Sequence, residues 1–206
     1  MIFFTADEHY NHLNSIEYCK RPFKDIIEMN ETLIKRHNEV VRLGDTIYHL
    51  GDFAFKSNEN KYSFRTIKDR LRGNNIFLSG SHDRGNPFID PNITTMEVKA
   101  YGHTICLHHY SQRRWAKSHY GSWHLFGHSH GGLESFGYSF DVGVDTHNFY
   151  PWSFLEVKER MSKIEVTEYP IFKDRKDRPK SEEVVIKKED GIPNLLKGLP
   201  FTIRFF

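Results

Sequence analysis

The chain opens on an unbroken apolar run, Ile2–Phe4 extending to Ala6, without the alternation of a half-solvated strand. Such a run reads as a strand covered on both faces. Similar short runs recur at Thr46–Leu50 and Asn75–Ser79. Between them the apolar period changes to that of a helix. Asp25–Val41 brings Ile26, Met29, Leu33, Ile34, His37 and Val40 to one side, and Asn60–Leu71 does the same with Phe64, Ile67 and Leu71. Strand, helix, strand, helix, strand predicts βαβ units on a mostly parallel sheet.

After Ser79 the pattern shifts. Thr95–Ala100 and His103–Leu107 read as an antiparallel pair turning at Tyr101-Gly102. Trp123–Phe126 and Tyr138–Val144 read as further strands, and Ser153–Lys163 as a short helix. The expected architecture is α/β: a four-layer αββα sandwich of two mixed β-sheets flanked by helices. Residues 1–163 form its domain. Residues 164–206 read as a C-terminal extension packed on that domain or on a partner subunit. Within it, Lys173–Lys180 is a charge run expected to be solvated, followed by strand-like pieces at Glu183–Lys188 and Phe201–Phe206.

Composition narrows the function. With 206 residues and a formal net charge of +2, the chain can bury one core and has no broad basic surface for nonspecific nucleic-acid binding. No apolar stretch approaches the ~20 residues needed to cross a bilayer, so no membrane partner is expected. The opening run is too short, and lacks the basic leader, for a secretory signal. Two isolated cysteines, Cys19 and Cys106, form no metal-type spacing and fit a reduced, cytoplasmic setting. The unusual number is 13 histidines, all lying between His9 and His147. Chemistry therefore belongs to the first three-quarters of the chain.

Those histidines pair with aspartates at the ends of predicted strands: Asp7/His9, Asp52, His82/Asp83, His109 and His128/His130. In open α/β sheets the carboxyl ends of the strands face one crevice, so these side chains are expected to converge there. Carboxylates and neutral imidazoles without thiolates suit Mn²⁺, Fe²⁺, Ni²⁺ or Zn²⁺. The bland reading, turn-forming Asp and surface His, does not account for five such positions each closing an apolar run. His12, His37, His49, His103, His119 and His124 read as structural or exposed, with His12 bordering the site. Asp145 and His147 are candidates for a supporting role.

In order and rough spacing, Asp7-Glu8-His9, Gly51-Asp52, Gly80-Ser81-His82-Asp83, Leu107-His108-His109-Tyr110 and Gly127-His128-Ser129-His130 resemble the calcineurin-like metallophosphoesterase family. That family's pattern is D-x-H, G-D, G-N-H-[DE], a His after a strand, and G-H-x-H. Tyr18–Phe23, Tyr48–Phe53 and Asp141–Asp145 resemble its small phage and bacterial members. The resemblance covers roughly residues 1–157.

The resemblance implies two divalent cations, Mn²⁺ foremost, with Asp52 as their bridge. Asp7, His9 and His130 would hold one. His128, one of His108 and His109, and Ser81 would hold the other. His109-Tyr110-Ser111, with Trp115 downstream, resembles the family's H-Y-P…W form and favours His109. His108 is then a packed strand residue or a neighbour of the substrate. His82 and Asp83 would be catalytic, His82 facing the phosphate and Asp83 orienting it. Arg113, Arg114 and Trp115 would grip a phosphate and stack a base, or else form a solvated loop around a packed Trp. Substrates would be phosphomonoesters or phosphodiesters: a phosphorylated small molecule, a nucleotide or a nucleic-acid end. One departure stands out. Ser81 replaces the family's Asn ligand, which opens a second reading, a catalytically weakened or non-catalytic metal-binding scaffold.

Overall fold

A computed structural model describes residues 1–57 and 60–177. In chain order its strands are β1 (Ile2–Thr5), β2 (Thr46–His49), β3 (Asn74–Phe77), β4 (Thr95–Ala100), β5 (His103–His108), β6 (Trp123–Phe126), β7 (Ser139–Asp141) and β8 (Trp152–Ser153). Its helices are α1 (Asn14–Tyr18), α2 (Ile26–Val40), α3 (Phe64–Arg70) and α4 (Phe154–Ser162). The strands form two four-stranded sheets, ordered β3-β2-β1-β8 and β4-β5-β6-β7. β1, β2 and β3 are parallel and β8 is antiparallel to β1. β5, β6 and β7 are parallel and β4 is antiparallel to β5. Both sheets are thus mixed, and helices flank them, as the alternation of periods predicts.

The apolar run of β1 is buried on both sides for a visible reason. Phe4 points between the sheets, where it joins Leu50, Leu78, Ile105, Leu107, Leu125 and Phe140 in the main core. Phe3 points outward to Val41 and Ile47, beneath α2. Met29, Leu33 and Ile34 of α2 and Ile67 of α3 complete the cover. At a rough 1.5–3 kcal/mol per fully buried large apolar side chain, this two-sided burial is what fixes β1 at the middle of its sheet. α4 seals the sandwich with Phe154, Val157 and Met161. The outer side of the second sheet is closed differently. Cys106 of β5 packs with Trp115 and Tyr169, joined by Phe136, Tyr138 and Val166.

Helix starts follow their caps. Asp25 accepts from the Glu28 amide at the start of α2, Ser63 from Thr66 at α3, and Ser153 with Glu156 forms a capping box at α4. The Ser63 cap explains why the predicted Asn60–Leu71 helix divides into a 3₁₀ turn, Asn60–Tyr62, and α3. α1 and β8, with five and two residues, are too short to leave a period and were not expected. The chain divides after Lys173 into two units, and of the second only Asp174–Asp177 is described, including a 3₁₀ turn at Arg175–Asp177. The strands expected at Glu183–Lys188 and Phe201–Phe206 lie outside the described residues. Among those described, no helix is long and apolar enough to cross a membrane.

Candidate metal centre

The loops that leave β1, β2 and β6 carry an unusual backbone. Asp7 (φ 59°), His9 (53°), Asp52 (56°), His128 (67°) and His130 (47°) all sit in the left-handed region. Non-glycine residues seldom adopt it, and such strain persists only where the surroundings enforce it. Here the loops are stitched together. The Asp7 amide donates to Gly51 O (3.1 Å), His9 to Asp52 O (3.0 Å) and Gly127 to His109 O (2.9 Å). Two glycines make room: a Cβ at Gly80 would lie 2.3 Å from Asp52 Oδ1, and one at Gly127 would lie 2.7 Å from Asp7 Oδ2.

The result is convergence from separate strand ends. Asp7, His9 and His130 each bring a ligand atom within 4.8 Å of the others, and so do Asp52, His109 and His128. The two groups adjoin. His9 Nε2 lies 3.7 Å from Asp52 Oδ2, and His109 Nδ1 lies 3.9 Å from Asp7 Oδ1.

The chemistry of these donors fits a cation. Asp7 Oδ1 and His109 Nε2 are fully buried without a hydrogen-bond partner. Leaving such atoms bare costs roughly 1–3 kcal/mol each, more for a charged group, unless something else satisfies them. His109 Nδ1 donates to Leu50 O at 2.9 Å, which turns the bare Nε2 toward Asp52, 3.4 Å away. Burial pushes the Asp7 carboxyl up to about 8, against the pull of His130 and His109. A carboxylate there needs a positive charge beside it. Burial also lowers His9 to about 3, keeping its imidazole neutral with a free lone pair. At Asp52 burial opposes ionisation, yet the nearby His109 ring and the His82 amide hold the carboxyl well below its usual range.

Beneath the first group lies a supporting layer, in which Asp145 was a sequence candidate and Arg21 was not. His130 Nδ1 donates to Asp145 Oδ2 (2.7 Å). Burial opposes a charge on His130, but this bond lifts its pKa to about 10. Arg21, wholly buried, grips Asp145 with Nε (2.8 Å) and Nη2 (2.7 Å) and donates to the carbonyls of Asp7 (2.6 Å) and Glu8 (2.9 Å). A histidine held by a carboxylate, itself held by an arginine, is fixed in its ring angle. The Tyr18–Phe23 stretch was the available signal for Arg21.

Other expectations need correction. Asp83 does not orient His82. Its Oδ2 accepts from the amides of Asp52 (2.7 Å) and Gly80 (2.7 Å), and its Oδ1 from Phe53 (2.9 Å), so it clasps the two loops together. As favoured from the sequence, His109 and not His108 joins a ligand group, while His108 ends β5 with its Nδ1 accepting from the Tyr110 amide (2.9 Å). Trp115 is packed against Tyr169 and donates its indole N–H to Ser122 O (3.0 Å). Arg113 and Arg114 lie over the rings of Phe136 and Tyr169. None of these four lines the cleft above the two groups. Ser81 does stand at the centre, with its hydroxyl donating to Asp52 Oδ2 at 2.9 Å. His82 stands on the cleft wall, half exposed, its Nε2 4.0 Å from Asp52 Oδ2.

Over 160 residues the chain is 34% identical to the uncharacterized protein MJ1445 of Methanocaldococcus jannaschii, covering 74% of this chain and 86% of that protein. No family model matches. Among solved structures, the protein of unknown function AQ665 from Aquifex aeolicus shares the fold, with a TM-score of 0.61 and 23% identity over 78% of this chain and 98% of that one. YfcE, a phosphoesterase from E. coli, matches with a TM-score of 0.38 and 15% identity over 69% of this chain and 77% of that one, too distant to bear on chemistry.

Proposed function

This chain belongs to one family with MJ1445 of M. jannaschii and carries the fold and ordered motifs of the calcineurin-like metallophosphoesterases, and from that premise we propose that it is a metal-dependent phosphoesterase with a dinuclear centre. The observation that carries the reading is the pair of adjoining ligand groups, Asp7/His9/His130 and Asp52/His109/His128, with bare buried atoms in each. Asp and His donors without a thiolate favour Mn²⁺, with Fe²⁺, Ni²⁺ or Zn²⁺ as alternatives. Two such cations would supply electrostatic stabilisation to the attacking and leaving oxygens of an in-line displacement at phosphorus.

The protein's own residues do the rest. Asp7 and Asp52 provide the negative charge that holds the ions, and Asp52 stands between the groups. Asp145 holds the His130 ring through Nδ1, which would leave Nε2 to serve a cation. His82, on the cleft wall, is placed to donate a proton at the leaving oxygen of a bound phosphate ester. The substrate class is a phosphomonoester or phosphodiester of a phosphorylated small molecule, a nucleotide or a nucleic-acid end. Both cysteines are free thiols, which suits a cytoplasmic enzyme.

Ser81 favours one further reading, a weakened or non-catalytic scaffold, because its hydroxyl is spent on Asp52. Turnover of bis-p-nitrophenyl phosphate and p-nitrophenyl phosphate with added Mn²⁺ separates the two. The enzyme reading expects hydrolysis that Asp52→Asn abolishes. Metal binding without any turnover would support the scaffold.

A further inference from the structure

The cleft above the ligand groups has a volume of about 540 Å³, far more than a phosphate alone requires. Among the described residues lining it, Asp52 is the one carboxylate, and it is already committed to the ligand group. The remaining polar lining is cationic or neutral. On the rim stand Tyr18 and Lys20, and neither the Tyr18 hydroxyl nor the Lys20 ammonium has a hydrogen bond or ion pair with any described residue. Tyr18 is 73% exposed and its ring makes no ring contact with any described residue.

The end of α1 and the turn after it, which present them, are held fast. The Cys19 amide donates to Ser15 O (3.1 Å), Lys20 to Glu17 O (3.1 Å) and Arg21 to Ile16 O (2.8 Å). Lys20 is fixed in the left-handed region at φ 51°. Arg21 nails the loop to the metal-ligand turn through the carbonyls of Asp7 and Glu8. The main chain beneath the ring and the ammonium is already ordered, so a ligand has only the two side chains to fix.

We propose that Tyr18 and Lys20 form a subsite for a nucleoside phosphate, free or at the end of a nucleic acid. The inference rests on the phosphoesterase reading for the position of the reacting phosphate. Tyr18 stacks on the planar base, and Lys20 pairs with phosphate oxygens. Stacking is tolerant of base identity, so the subsite selects nucleotides from sugar phosphates without choosing among bases.

The test is calorimetric binding to the Mn²⁺-supplemented full chain. Thymidine 5′-monophosphate is expected to bind about tenfold tighter than ribose 5-phosphate, the lower end of what one base–aromatic stack provides. Tyr18→Ala should erase that preference and Tyr18→Phe should keep it. Lys20→Ala should weaken both ligands alike. Tyr18 is exposed, so its replacement leaves the core intact, and a thermal melt verifies this. A 5′-phosphorylated dinucleotide distinguishes sources: tighter binding than the mononucleotide marks a chain end, equal binding a free nucleotide, and Tyr18 dependence in either case supports the subsite. Equal affinity for nucleotide and sugar phosphate, no binding of either, or a preference unmoved by Tyr18→Ala would overturn it. The readout is binding, so a failure of turnover and a failure of this subsite are separate results.

Discussion

Ser81 donates its hydroxyl proton to Asp52 Oδ2 across 2.9 Å, on the carboxylate that lies between the two ligand groups. The bond draws electron density from that carboxylate and occupies one of its oxygens. An Asn at this position would reach farther and offer an amide oxygen as a ligand. Ser81→Asn is expected to tighten the weaker Mn²⁺ site by about tenfold, near 1.4 kcal/mol, and to raise turnover with it. Titration calorimetry and the nitrophenyl phosphate assay read both. Unchanged affinity would show that position 81 does not face the ion.

Asp145 joins Arg21 to His130, and its loss should be felt twice. Asp145→Asn removes the charge that pairs a wholly buried guanidinium, an effect of about 3–5 kcal/mol on stability. It also frees the His130 ring, and loss of such a partner typically weakens metal binding about 10–100-fold. Urea unfolding of the metal-free protein measures the first and calorimetry the second. A variant with full stability but weak metal binding would mean that Arg21 finds another partner.

Arg113 and Arg114 provide the opposite expectation. Each lies over an aromatic ring on the outer side of the second sheet, away from the cleft. The double variant Arg113→Ala/Arg114→Ala should leave KM within about twofold while costing about 0.5–1 kcal/mol of stability per lost contact. A large rise in KM would return these arginines to the substrate.

Stability should depend on pH through two histidines remote from the ligand groups. Burial lowers His124 to about 4 and His37 to about 3. Both are neutral when folded, while the unfolded chain protonates them below about 6.5. The unfolded state therefore binds more protons between about pH 6.5 and 4, and stability falls as pH falls through that window. Each contributes a slope of at most about 1.4 kcal/mol per pH unit. In chelator-treated protein, His124→Gln should flatten the slope whatever its effect on absolute stability. An unchanged slope would mean that His124 is charged when folded.

The fold was legible where periods are long. β1, α2 and β2 follow from uninterrupted apolar runs and from Met29, Leu33 and Ile34 on one face. α1 and β8 are too short to carry a period. The convergence of Asp7, His9, Asp52, His109, His128 and His130 was legible because each closes a strand, and strand ends converge in this topology. Partners were not. Asp145 lies 124 residues from Arg21, and nothing in the spacing joins them. For Trp115 and its arginines, nearness to His109 in sequence suggested the substrate, and the alternative of a packed Trp is the one the structure favours. Alternation along β5 sends Leu107 to the core between the sheets and Cys106 to the opposite face, and Trp115 follows Cys106. Asp83 misled through adjacency to His82, although its oxygens reach the backbone of two loops.

Anomalous scattering from crystals grown with Mn²⁺ tests the central claim most directly. Two peaks are expected, one within ligand distance of Asp7, His9 and His130, the other of Asp52, His109 and His128, with Asp52 touching both. An empty cluster, or manganese bound only at other places on the molecule, would contradict the account.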